Sequence, residues 1–121
     1  MVYSGTIATE NDIALMAGEN VDSTGDTEAN HNLLMAQAES YLCALVKYDI
    51  VTNWTTIDAT NYGALFTEYA ARYCAVALIS YNMAGYTSRM EAEDMISIHL
   101  ARMEEIKNIL LNEDIQNFMG V

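Results

Sequence analysis

Proline is absent from all 121 residues, and only six glycines interrupt the chain. Proline breaks helix interiors and is confined to the margins of sheets, so its absence leaves long helices unopposed. Cations are nearly as scarce. Five Lys and Arg stand against 17 Asp and Glu, a formal net charge of −12, which excludes a broad basic surface able to grip nucleic-acid phosphates. Cysteine occurs only as Cys43 and Cys74. Their spacing matches no metal motif, and both lie in apolar helical stretches, so they are read as buried free thiols. The N-terminal Met1-Val-Tyr-Ser-Gly5 has neither the positive nor the apolar region of a signal peptide, and none is expected. The longest uncharged stretch, Tyr73–Ser88, includes Ser80, Asn82, Gly85 and Thr87 and is too polar for a membrane span.

What is present is helix-forming and apolar. The hydrophobic fraction of 52% against 18% charged is too rich for a disordered chain. The length suits a single domain over 1–121, and Ala, Leu and Met favour helices. The expected fold is all-α, a small antiparallel bundle of about four helices with extended termini.

The first helix is predicted at 10–17, opened by a capping box of Thr9 with Asp12 and stopped by Gly18. The acidic run 18–26 reads as a surface loop. A second helix is predicted over 27–47 behind Asp26, with Leu34, Ala38, Tyr41, Leu42 and Leu45 as its core face. Residues 48–56 lose the helical period and read as an ordered connection anchored by Trp54. The third helix, 59–83 behind Asp58, carries a stripe of Tyr62, Leu65, Phe66, Tyr69, Tyr73, Val76 and Ser80. Ala64, Ala71, Ala75 and Leu78 occupy its other faces. A helix apolar nearly all round must be covered on more than one side, so it is a central helix, a subunit interface, or both. Glu68 and Arg72 form an i,i+4 pair. After Gly85, a second capping box at Ser88 and Glu91 opens a fourth helix over 89–112. Its seam is Ala92, Ile96, His99, Met103, Ile106 and Leu110.

The chemistry-bearing residues are few. Glu28-Ala-Asn-His31 has the E-x-x-H spacing of di-metal bundles, but Ile96 stands three positions before His99, so the required second motif is missing. No metal or cofactor is expected, and His31 is read as an exposed first-turn residue. His99, on its apolar seam, is read as buried or interfacial and satisfied by one hydrogen bond. The Asp22–Glu28 run lacks the residue order of a calcium loop. Nucleophile-elbow, phosphate-loop and dinucleotide motifs are missing, and an enzyme is not expected. Eight tyrosines fit an aromatic core with hydroxyls at its rim, a protein interface, or both. The candidate interface comprises Tyr62, Ala71, Ala75, Tyr81, Tyr86, Ile115, Phe118, Met119 and Val121.

Three segments carry a family resemblance in order: Ala38-Glu-Ser-Tyr-Leu-Cys-Ala-Leu-Val-Lys-Tyr-Asp49, Phe66-Thr-Glu-Tyr-Ala-Ala-Arg-Tyr-Cys-Ala-Val-Ala-Leu-Ile79, and Gly85-Tyr-Thr-Ser-Arg-Met-Glu-Ala-Glu-Asp-Met95. Over roughly 30–112 the chain resembles the head–tail connector (adaptor) proteins of tailed phages. The resemblance implies a non-enzymatic virion protein, assembled in the host bacterial cytoplasm. Such proteins form a ring, usually dodecameric, beneath the portal protein. They extend a channel that DNA traverses without specific binding, and they dock the next tail or stopper protein. It further implies that 31–112 is the helical core and 113–121 a C-terminal docking tail reaching toward the portal. Residues 1–30, the short helix and acidic loop, match nothing in the family. The alternative is a small acidic regulator or DNA-mimic inhibitor, which the scattered placement of the acids disfavours.

Overall fold

The structure is a computed structural model that describes residues 3–18, 27–81 and 89–119, without the side chains of Tyr81, Arg89, Glu113 and Met119. The chain is all-α. Among the described residues there are six helices and no strand: α1 Glu10–Ala17, α2 Glu28–Val46, α3 Trp54–Asp58, α4 Gly63–Tyr81, α5 Arg89–Leu111 and α6 Glu113–Met119. Four correspond to the expected helices; α3 and α6 are additional. The expected 19–26 loop, Gly85 and the Ser88 cap lie outside the described residues.

Local chemistry sets the boundaries. Thr9 Oγ1 accepts from the Asp12 amide while the Asp12 carboxylate accepts from the Thr9 amide, the expected capping box. At the other end of α1, Gly18 takes a positive φ of 82° that other residues adopt at a cost. Thr27, in the place expected of Asp26, is the N-cap of α2 and accepts from the Asn30 amide. Asp58, expected to open the third helix, is instead the last residue of α3, and α4 starts at Gly63. The step has a steric cause: a Cβ at Gly63 would stand 2.7 Å from the Ile57 carbonyl oxygen, so only glycine lets α4 begin this close to α3. After α5, Asn112 Oδ1 accepts from the amides of Asp114 (2.9 Å) and Ile115 (3.2 Å). That side-chain cap restarts the backbone as a helix. The expected extended C-terminus is therefore helical over 113–119.

Helix α4 is the centre of the fold, in contact with α1, α2, α3 and α5. Phe66, Ala70, Ala71, Cys74, Ala75, Leu78 and Ile79 are all buried on it, which explains its near-complete lack of charge. On α5 the expected seam faces inward, with Ala92, His99, Met103, Ile106 and Leu110 buried and Ile96 half-buried. The core face of α2 is rotated from the expected one. His31, Met35, Ala38, Leu42 and Val46 are buried, whereas Leu34 and Leu45 are half-buried and Tyr41 is exposed. Alpha helices with apolar residues on adjoining stripes leave this choice to the neighbouring elements, and here the N-terminal segment covers the His31–Met35 side. Trp54 opens α3 and packs against the main core, as an anchor should.

Candidate functional site

The N-terminal segment, 3–17, is fixed to the rest of the chain by side chains from three helices. Glu39 of α2 accepts the amides of Thr6 (2.7 Å) and Ile7 (2.9 Å) through one carboxylate oxygen. Asn32 accepts the Ser4 amide at 2.7 Å, and the Thr67 hydroxyl of α4 donates to the Ile7 carbonyl at 2.9 Å. Helix α1 is then held at both ends by histidines. At its first residue, Glu10 pairs with His31 Nδ1 of α2. At its last turn, the Met16 carbonyl lies 2.8 Å from His99 Nε2 of α5.

His31 thus departs from expectation: it is 7% exposed, and its partner is Glu10, 21 positions upstream, rather than solvent. His99 is buried, as its seam position predicts, but makes two hydrogen bonds instead of one. Its Nδ1 faces Arg72 Nη1 at 2.8 Å. Guanidinium can only donate and a carbonyl can only accept, so the partners fix the ring as the neutral Nε2–H tautomer. Burial, then the charge of Arg72, push its pKa below the ordinary 6.5, outweighing the Met16 bond.

Behind Arg72 the network continues. The Glu68 carboxylate accepts from Arg72 Nε (2.9 Å), its expected partner, and from Arg102 Nε (2.7 Å) and Nη2 (3.3 Å). The Arg102 bond above all, opposed by desolvation and joined by Arg72, holds its pKa below the usual carboxylate range. Arg102 also donates to Glu105 at 3.0 Å. These groups floor an open groove of about 700 Å³ whose walls include Asp12, Leu15 and Met16 of α1 and Asp58 of α3. Both arginines face carboxylates, so the groove offers no uncompensated cation. No group of three or more His, Cys, Asp or Glu placed to hold a metal occurs among the described residues. The cysteines are free thiols, with Cys74 buried and its pKa pushed up to about 12.

A second feature lies on the side of α4 that its neighbours leave incompletely covered. Tyr62, Leu65, Tyr73 and Val76 are half-buried there along the predicted stripe. Tyr41 of α2 stacks on Tyr69, with ring centroids 5.7 Å apart and planes within 4°. Burial, followed by its bond to Tyr41 and nearby charge including Glu104 of α5, raises the Tyr69 pKa and keeps the hydroxyl protonated. Leu100 and Leu111 stand four positions before and seven after Glu104, hence on the same face of α5. They are 50% and 47% exposed. Phe118 of α6 meets Tyr62 edge-on at 6.3 Å and remains 81% exposed.

The predicted interface residues divide accordingly. Tyr62 and Phe118 meet edge-on, and Ile115 is half-buried against the main core. Ala71 and Ala75, only 1% and 0% exposed, face the chain's own core and present no surface to a partner. Tyr81 and Met119 close their helices with side chains outside the description, as are Tyr86 and Val121 altogether. Tyr41, Leu100 and Leu111 are exposed apolar residues that the predicted set did not include. The 11-residue step from Leu100 to Leu111, three helical turns, was the available signal.

Comparison with protein-family models, curated proteins and solved structures finds no match. No helix among the described residues is long and apolar enough to cross a membrane.

Proposed function

We propose that this chain is a head–tail adaptor subunit of a tailed phage. It is a non-enzymatic virion protein that assembles as a ring under the portal, extends the DNA channel and receives the next tail or stopper component. In this reading α1, α2, α4 and α5 make up the family's antiparallel bundle, with α3 and α6 as local additions. The observation that carries the proposal is a set of incompletely covered aromatics, Tyr41 stacked on Tyr69, half-buried Tyr73, and Tyr62 meeting the 81% exposed Phe118, together with exposed Leu100 and Leu111 on the Glu104 face of α5. Tyrosine with aliphatic neighbours is the composition of protein contacts.

The charge distribution agrees with a conduit. With Arg72 and Arg102 directed at Glu68, only three other cations remain in the sequence beside 17 acids. A surface of that sign repels the DNA backbone and lets it slide.

The test is mass measurement with negative-stain imaging of the protein, alone and on portal-bearing heads. Rings on heads are expected, and Leu100→Glu or Tyr41→Glu, both at exposed sites, should abolish them while circular dichroism stays unchanged. A persistent monomer absent from virions would overturn the reading. A stoichiometric complex with a DNA-binding enzyme, displacing its DNA, would replace it with the acidic-inhibitor alternative.

A further inference from the structure

The two histidines that hold α1 use their ring nitrogens in opposite senses. His31 Nδ1 faces the Glu10 carboxylate, so it must carry a proton to make that contact, and protonating the ring leaves this donor in place. His99 Nδ1 faces the Arg72 guanidinium, so it must be an acceptor. Protonating that ring sets an N–H against an N–H and a cation against a cation.

We infer that α1 is a one-ended hinge: protonation of His99 frees its C-terminal turn from α4 and α5, while Glu10 and His31 keep its N-terminal turn on α2. The groups facing His99 from each packed element favour this outcome. From α4 come Arg72 directly and Glu68 behind it; Glu68 is shared between Arg72 and Arg102 and so is not free to compensate a new charge. On α5, the helix of His99 itself, Arg102 lies across Glu68 from Arg72 and holds Glu105 on its outer side. From α1 come the Met16 carbonyl and, at the groove wall, Asp12, whose carboxylate is engaged by Thr9. The fixed end is reinforced upstream, where Glu39, Thr67 and Asn32 hold the backbone of 4–7.

The sign follows from linkage. The folded-state pKa of His99 lies below its ordinary 6.5, so the unfolded or released form binds more protons. The attachment is fully present above that value and is lost as pH falls through the folded one. Release of the last turn draws Ala17, 1% exposed, away from α4. It also removes the Leu15–Met16 wall of the 700 Å³ groove. The device is independent of the adaptor reading, since it concerns one subunit.

The experiment is amide hydrogen exchange of the full chain at pH 7.5 and 5.0, corrected for intrinsic rates. This range stays above the titration of ordinary carboxylates near ~4. The amides of Ala17 and Gly18 should lose protection at pH 5.0, while those of Ile7 and His31 keep theirs. His99→Gln, which retains a donor and an acceptor without titrating, should abolish the step. His31→Gln should extend the loss to the Ile13 amide. Should His99→Gln not fold, nitrogen NMR of the wild-type imidazole supplies the check: the tautomer signal of His99 must switch over the same range as the protection. Equal protection of the two ends at both pH values, or a step that survives in His99→Gln, would overturn the hinge.

Discussion

Between Tyr3 and Ala17 the chain buries Ile7, Ala8, Ile13 and Ala17 and fixes the backbone around them with side chains of α2, α4 and α5, whereas between Glu113 and Met119 it half-buries Ile115 and leaves Phe118 81% exposed. Both segments are terminal, acidic and about equally apolar. They differ in whether the rest of the molecule supplies polar partners for their backbone. The N-terminal segment receives Asn32, Glu39, Thr67 and His99; α6 satisfies its backbone with its own helix and the adjacent Asn112 cap, and its Gln116 donates to the Leu110 carbonyl at the end of α5. A segment with external partners is part of the fold. One that satisfies itself is free to present an apolar side chain outward.

The largest expected effect tests the first half of that contrast. Deleting 1–17 removes the burial of Ile7 and Ile13, about 1.5–3 kcal/mol each. Against a total stability on the order of 5–15 kcal/mol, urea unfolding should lose most of its cooperativity. A deletion variant that unfolds at the wild-type midpoint would remove the distinction between the two ends.

Next in size is Glu68→Gln, which reaches the N-terminal segment through Arg72 and His99. Hydrogen bonds to charged groups contribute about 1.5–3 kcal/mol, and a loss toward the lower figure is expected at pH 7 because Arg102 is partly exposed. The pH profile sharpens this. Glu68 has its carboxyl pKa lowered below the ordinary 4.5. Its contribution is therefore complete above 4.5 and lost as pH falls through the folded value. Denaturant melts from pH 7 to 3 should show a shallower acid decline in the variant than in the wild type.

Smaller again is Glu39→Ala. It strips the acceptor from the Thr6 and Ile7 amides; water replaces it at exposed Thr6 but not at buried Ile7. About 1–2 kcal/mol should be lost, measured by chemical denaturation, with exchange of the Ile7 amide accelerated in step. Unchanged Ile7 exchange would show that burial alone fixes the segment.

Much of the fold was legible because it rests on short-range rules. The Thr9–Asp12 box, the Gly18 stop, the seam of α5 and the Glu68–Arg72 pair all involve residues within a few positions, or on one helix face. What escaped depends on distant partners. His31 reads as an exposed first-turn residue until Glu10 is folded onto it, and the inner face of α2 is decided by which segment covers it. The late start of α4 follows from the Gly63 approach to Ile57, a contact visible only once α3 exists. Helix α6 was different: Asn112 followed by Glu113 and Asp114 is a cap with an acidic first turn, and the signal was present in the sequence. Of the proposed interface, Tyr62 and Phe118 were legible as candidates because bulky aromatics identify themselves, and their meeting edge-on was not. Ala71 and Ala75 were misassigned to a partner because a small apolar face cannot reveal whether its cover is α1 or another chain.

The smallest expected effect on stability belongs to α6, and it bears most directly on the proposed function. Truncation after Asn112 removes Ile115, which is only half-buried, together with the edge contact of Phe118 on Tyr62. Half of a fully buried isoleucine corresponds to about 1 kcal/mol, and ordering seven helical residues opposes even that. Thermal unfolding of the isolated subunit should therefore move by only a few degrees, with circular dichroism reduced in proportion to the missing turns. Phe118→Ala should move it less, since an 81% exposed side chain has little burial to lose. Assembly should respond in the opposite order of magnitude. If Phe118 makes a subunit or portal contact, both variants lose attachment to portal-bearing heads although their subunits remain folded. A truncated subunit that melts far below the wild type would place α6 with the N-terminal segment as part of the core. One that melts normally and still assembles would take Phe118 out of the interface and leave it to Tyr41, Leu100 and Leu111.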